Sequence, residues 1–227
     1  MLRYLIYIAP AALFMAYASW RVRSAYNKWG RIRNEQGITG VQAAKTLLNQ
    51  EGLYGMELKG VKGKLTDHYD PRDKSISLSE SVATQPSVAA LAVTAHEIGH
   101  ALQHKQGNLL FGLRSGIVPV VNFGSRLGPI LFFVGFLLSF TPLVWLGIAL
   151  FASVFVFTLV TLPLEFDASS KGMRILTASG LLASDAERRG ARAVLNAAAL
   201  TYVASMLAAL MQLLYYVSLA AGGGRRR

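Results

Sequence analysis

The chain has 227 residues, 53% of them hydrophobic and 15% charged, with a mean hydropathy of +0.39. That is too oily for an ordinary soluble domain, where roughly a quarter of residues are charged, and too rich in apolar residues for a disordered chain. Twenty-three Lys and Arg against twelve Asp and Glu leave +11, which points to nucleic acid or to an anionic membrane surface, and the lack of cysteine excludes disulfides, thiol catalysis, Cys-ligated zinc and iron–sulfur clusters.

In chain order, Tyr4 to Trp20 is an uncharged run of 17 residues between Arg3 and Arg21, just long enough to span a hydrocarbon core of roughly 30 Å as a helix. Ala16-Tyr17-Ala18 also resembles a signal-peptidase site, but Arg21, Arg23, Lys28, Arg31 and Arg33 follow at once and oppose export. Thr39-Gly40-Val41-Gln42 has the form of a capping box, and Val41, Ala44, Leu47 and Leu48 recur at helical spacing until Gly52. Met56 to Val61 and Ser75 to Leu78 read as short strands, the second preceded by an Asp70-Pro71-Arg72-Asp73 turn. Pro86 suits a helical first turn and Gly107 a helical end, which predicts one helix over Pro86 to Gln106.

A second apolar run extends from about Gly116 to Phe140. Arg126 inside it is costly at mid-bilayer, so the part before Gly128 is expected near the interface or against protein. Thr141-Pro142 separates it from a third run, Leu143 to Leu162, and the pair reads as a helical hairpin. The fourth run, Val194 to Ala221, carries Tyr215 and Tyr216 where an interfacial belt would lie. Four spans sort the basic residues: Arg21–Arg114 holds thirteen and Glu165–Arg192 five, against Arg3 and the Arg225–Arg227 triplet opposite. The positive-inside rule then puts the two large non-membrane segments in the cytoplasm and both termini outside. No basic region or recognition helix appears, so nucleic acid is not an expected partner; membrane lipid is.

The chemistry lies in His96-Glu97-Ile98-Gly99-His100. Residues four apart share a helix face, so both imidazoles can reach one zinc ion at about 2.0–2.1 Å, with Glu97 beside them to take a proton from a water on the metal. His104 shares the face, but at eight residues from His96 it lies about 12 Å along the axis, too far for the same ion; a role as donor at the helix C-terminus suits it better. Catalytic zinc needs a third ligand and an open position. Gln103 and Gly107 do not supply the metzincin spacing, so a carboxylate is expected. Glu165, at the end of the third apolar run in Leu164-Glu165-Phe166-Asp167, has two readings from position alone, a metal ligand or a carboxylate snorkelling to solvent.

Four strings, in order, resemble the YugP-type neutral zinc metallopeptidases of bacterial membranes: Leu65-Thr66-Asp67-His68-Tyr69-Asp70-Pro71-Arg72, the His96 to His104 string, Leu164 to Ser169, and Val194-Leu195-Asn196-Ala197 through Ala204. The resemblance spans nearly the whole chain. It implies zinc held by His96, His100 and Glu165, Glu97 as catalytic glutamate, and a retained N-terminal membrane helix. The ligand set is gluzincin-like and similar to that of the HtpX-like membrane peptidases. Those carry an aspartate, bonded to a zinc-bound histidine, where this chain has Ser169, which leaves Ser169, Asp167 or neither as partner of a ligand histidine.

The expected fold is a mainly α-helical integral membrane protein, about four transmembrane helices plus a compact zincin-like catalytic region with a small β-sheet or hairpin. Its expected parts are an N-terminal transmembrane helix (1–20), a catalytic region (21–115), a transmembrane hairpin (116–163), a cytoplasmic helical segment with the third ligand (164–193), and a C-terminal transmembrane helix with a basic tail (194–227). The expected activity is a cell-membrane zinc metalloendopeptidase, its zinc-bound water activated by Glu97, cutting peptide bonds of membrane or membrane-associated proteins. Substrate would add as a strand to an exposed sheet edge, for which Ser75 to Leu78 is the local candidate. His68, Tyr69, Arg192 and Tyr202 are the candidates for stabilising the oxyanion. A membrane scaffold or quality-control adaptor with a structural metal is the alternative, disfavoured because such a site has no use for a base at Glu97. Site-2-type proteases take their third ligand from an L-D-G-like string, which is absent.

Overall fold

A computed structural model describes residues 2–223; the Arg225–Arg227 triplet lies outside them. The elements are α1 (Leu2–Gly30), α2 (Gly40–Gln50), β1 (Glu57–Val61), β2 (His68–Asp70), β3 (Ser75–Ser79), α3 (Glu80–Thr84), α4 (Val88–Lys105), α5 (Leu109–Leu137), α6 (Thr141–Ala178) and α7 (Asp185–Gly223). Four of them, α1, α5, α6 and α7, are long and apolar enough to cross a membrane. The protein is a mainly helical membrane protein with a small sheet. Its chain forms two compact units, one of 1–18, 109–163 and 201–227, the other of 19–108 and 164–200.

The first unit is built from apolar helix segments. Phe132, Val144, Ile148 and Tyr216 form its buried cluster, with Phe132 stacked on Tyr216 at 4.4 Å and Tyr4 edge-on to Tyr215 at 5.2 Å. Apolar side chains have no solvent-driven reason to meet inside lipid, so close backbone approach carries the packing. At Gly147, a Cβ would collide with the backbones of Gly128 and Phe132, which is how α5 and α6 lie against each other. Large side chains such as Leu13, Phe133, Leu137 and Trp145 face outward, as lipid contact requires. Pro142 sits in the first turn of α6, where its missing N–H leaves nothing unpaired. Arg126 and Asn122 are exposed on α5, so of the two placements expected for this stretch, near the interface or against protein, the described residues do not supply the second.

The second unit centres on α4, buried almost all round by Val88, Leu91, Ala92, Ala95, Ile98, Ala101 and Leu102. Against it lies α2, whose capping box forms as expected: Thr39 Oγ1 accepts from the Gln42 N–H at 3.3 Å and Gln42 Oε1 accepts from the Thr39 N–H at 2.9 Å. Its end is also where expected, with Gly52 at φ +62° after the Glu51 cap. The buried Glu187 carboxylate ties the entry of α7 to the loop after α1, accepting from the Glu35 N–H at 2.6 Å and the Ala183 N–H at 2.7 Å.

Two sequence readings are corrected. The long helix starts at Val88, not Pro86, because Ser87 is the cap, its Oγ accepting from the Ala90 N–H at 3.1 Å; Pro86 lies outside. The strand Ser75–Ser79 is no edge. The sheet order is β1-β3-β2, with β1 parallel and β2 antiparallel to β3, and every β3 residue is buried. A strand hydrogen-bonded on both sides has no free groups for an added peptide. The three-residue β2, too short for a periodic signal, is what closes it.

Candidate metal centre

Two helices build the site. His96 and His100 are one turn apart on α4, and Glu165 comes from α6, three residues after the end of the Leu143–Leu162 run. The elements cross backbone against backbone. A Cβ at Gly99 would strike the Ala168 carbonyl group, and one at Gly172 would lie 3.0 Å from the Ala95 carbonyl carbon and oxygen. Gly99, within the His-Glu-x-x-His string, thus lets α6 approach until Glu165 reaches both imidazoles.

His96 Nε2 lies 3.2 Å and His100 Nε2 3.4 Å from the same oxygen, Glu165 Oε2. One ligand atom from each of the three residues falls within 4.8 Å of the other two, and among the described residues this is the one such group of His, Asp and Glu that could hold a metal ion. All three are largely buried, Glu165 to within 1% of full burial. His104 is not part of it. Its Nδ1 pairs with the Tyr69 hydroxyl at 2.7 Å, which joins the end of α4 to β2.

The far side of each ring is engaged. Ser169 Oγ lies 3.2 Å from His96 Nδ1, and Gln103 Oε1 lies 3.0 Å from His100 Nδ1. Ser169 therefore partners a ring, as the sequence left open. Asp167 instead accepts from Gln103 Nε2 at 2.8 Å and from Lys171 Nζ at 2.6 Å. Gln103, which meets a candidate ligand ring, is the site residue the sequence reading missed. Its only signal was its place three residues after His100, on the same helix face.

With each Nδ1 paired on its outer side, each Nε2 faces inward. Neutral imidazoles protonated at Nδ1 would set two lone pairs beside a carboxylate, which repel one another unless a cation lies among them, so the donor set fits a metal ion. Without metal, a proton takes that place. Burial alone would lower the His100 pKa, but its hydrogen bond and charge contact with Glu165 outweigh this and raise it above the ordinary histidine value. Burial would raise Glu165, but the hydrogen bonds from His100 and then His96 hold its carboxyl well below the usual range.

Of the candidate oxyanion donors, His68 is exposed, its Nδ1 2.8 Å from the Thr66 carbonyl. Arg192 is exposed on α7 and Tyr202 half-buried there. The Tyr69 hydroxyl is engaged by His104.

Residues 4–221 match the family described as "Putative neutral zinc metallopeptidase". The chain belongs to that family. It is also 42% identical, over 96% of its own length and 97% of the relative's, to the Bacillus subtilis (strain 168) protein described as "Putative membrane protease YugP". No solved structure matches. The family's description names a zinc peptidase, and the His96, His100 and Glu165 group has the composition zinc takes in proteins, nitrogen and carboxylate oxygen.

Proposed function

We propose that this protein is a membrane-integrated zinc metalloendopeptidase with a gluzincin-type site, in which His96, His100 and Glu165 hold zinc and Glu97 is the general base. The observation that carries the reading is the convergence of two Nε2 atoms on one Glu165 oxygen, with each Nδ1 already paired on its outer side. Zinc, when bound, supplies Lewis-acid chemistry, acidifying water and polarising a carbonyl. Glu97, next to His96 and itself buried, accepts the proton of the attacking water and returns it to the leaving amine. A purely structural site would need no such carboxylate.

The Glu165 carboxylate follows the apolar run of α6 without a break in the helix. Peptide bonds of membrane or membrane-associated proteins are therefore the substrate class. Thirteen basic residues between Arg21 and Arg114 and five between Glu165 and Arg192 favour a cell-membrane protein with its site on the cytoplasmic side.

The test is detergent-purified protein with zinc counted per chain and cleavage measured for wild type and Glu97→Gln. The variant keeps its zinc and loses about 10²–10⁴-fold in cleavage rate; full cleavage by the variant rules the mechanism out. For orientation, a cysteine placed near Gly107, at exposed Gln106, should be shielded from an impermeant thiol reagent in intact cells and react after lysis. Labelling from outside would reverse the topology.

A further inference from the structure

Gln103 does more than fill space beside His100. It is fully buried, and its amide makes three hydrogen bonds. Both Nε2 protons are spent, one on the Leu164 carbonyl at 2.7 Å and one on Asp167 Oδ2 at 2.8 Å, and Asp167 is held in turn by Lys171. Flipping the amide would set its oxygen against two acceptors, so the orientation is determined. Oε1 must then face His100 Nδ1, at 3.0 Å. An amide oxygen only accepts, so the ring must carry its proton on Nδ1, and the Nε2 lone pair is left for the metal. Ser169 cannot make this choice for His96, since a hydroxyl can donate as well as accept.

The same amide therefore fixes the tautomer of one ligand on α4 and grips the carbonyl of the residue immediately before the other ligand, Glu165, on α6. We infer that Gln103 is a positioning residue for zinc, a clip that sets the His100 ring and the approach of Glu165 together, with Asp167 and Lys171 holding the clip's orientation. This rests on the zinc-site reading above.

Two variants of the full chain in detergent test it, with zinc affinity read by competition against a chelator and the absorption bands of the cobalt(II)-loaded protein recorded. Gln103→Leu removes all three bonds. Gln103→Glu keeps the shape and an acceptor for His100 but turns lone pairs toward Leu164 and Asp167. Both should weaken zinc by about 10–100-fold, as loss of outer partners does, and shift the cobalt bands. Adding Asp167→Asn to Gln103→Glu restores a donor opposite the new carboxylate and recovers part of the affinity. Were Gln103 only an acceptor for the imidazole, Gln103→Glu would bind zinc as tightly as wild type or more so, and that result overturns the clip, as does wild-type affinity with unchanged cobalt bands in Gln103→Leu. If Gln103→Leu does not fold, the near-isosteric Gln103→Glu decides alone. Glu165→Ala separates the two readings. Should it also keep its zinc, the site assignment itself fails; should it lose zinc while both Gln103 variants retain it, only the clip does.

Discussion

The crossing of α4 and α6 offers a perturbation whose sign depends on magnitudes. On an open helix face, Gly→Ala gains about 1 kcal/mol of helix propensity. At Gly99 the new methyl would collide with the Ala168 carbonyl oxygen and sit 3.0 Å from the carbonyl carbon, whereas unstrained contacts of a methyl begin near about 3.5 Å. The neighbour is backbone, so it cannot rotate away, and the helices must separate by about one ångström to clear the carbonyl oxygen. Overpacking of this kind costs about 1–3 kcal/mol, which leaves Gly99→Ala between neutral and about 2 kcal/mol less stable. The larger consequence falls on metal. Ala168 is three residues from Glu165, so the carboxylate moves with it, and zinc sites tolerate about 0.2 Å in ligand distance. Thermal unfolding of the purified protein, with zinc and with chelator, reads both effects: the zinc-free variant melts at or slightly below wild type, and the stabilisation by zinc shrinks because its dissociation constant has risen. Gly116→Ala on α5, where nothing lies within 4 Å of the added Cβ, is the control and should be neutral or stabilising. A Gly99→Ala protein that takes up zinc with wild-type affinity would refute the claim that backbone contact sets the ligand geometry.

His104→Ala should leave zinc content unchanged while costing about 1 kcal/mol, similar to Tyr69→Phe, because each removes the 2.7 Å hydrogen bond between β2 and α4; loss of zinc would place His104 among the ligands. Zinc affinity should also depend on pH with a definite sign. The metal-free His100 pKa is raised, so its pairing with Glu165 stabilises the zinc-free fold below the unfolded histidine pKa and that contribution is lost as pH rises through the folded value. Zinc competes with the same proton, so its apparent affinity is level above the folded value and falls as pH drops through it, starting above the pH at which an ordinary histidine titrates. An affinity that stays flat down to about pH 5 would contradict this.

Local patterns made much of this protein legible. Runs of apolar residues announce four membrane-crossing helices because hydropathy is a property of the sequence alone, though the helices extend well past them: α1 continues ten residues beyond Trp20, and α6 runs on through Pro163 to Ala178. Polar continuation of a helix is sustained by tertiary packing, which periodicity in the apolar part does not report. The capping box at Thr39 and the pairing of His96 with His100 were equally visible, since each depends on residues three or four apart. Glu165 was visible only as an acidic residue in an odd place until the resemblance supplied its role; 69 residues separate it from His96, and no local rule spans that distance.

The sequence by itself determined the membrane character, the helix that carries the two candidate histidine ligands and the candidate base, because each follows from short-range periodicity and residue chemistry. Only the tertiary structure decided that β3 is the centre of the sheet, that Ser169 rather than Asp167 meets an imidazole, and that Gln103 joins His100 to the backbone beside Glu165. These are contacts between segments far apart in the chain, brought together by a helix crossing so close that a Cβ would collide at Gly99 and crowd its neighbours at Gly172, and a contact of that kind exists only once the backbones have met.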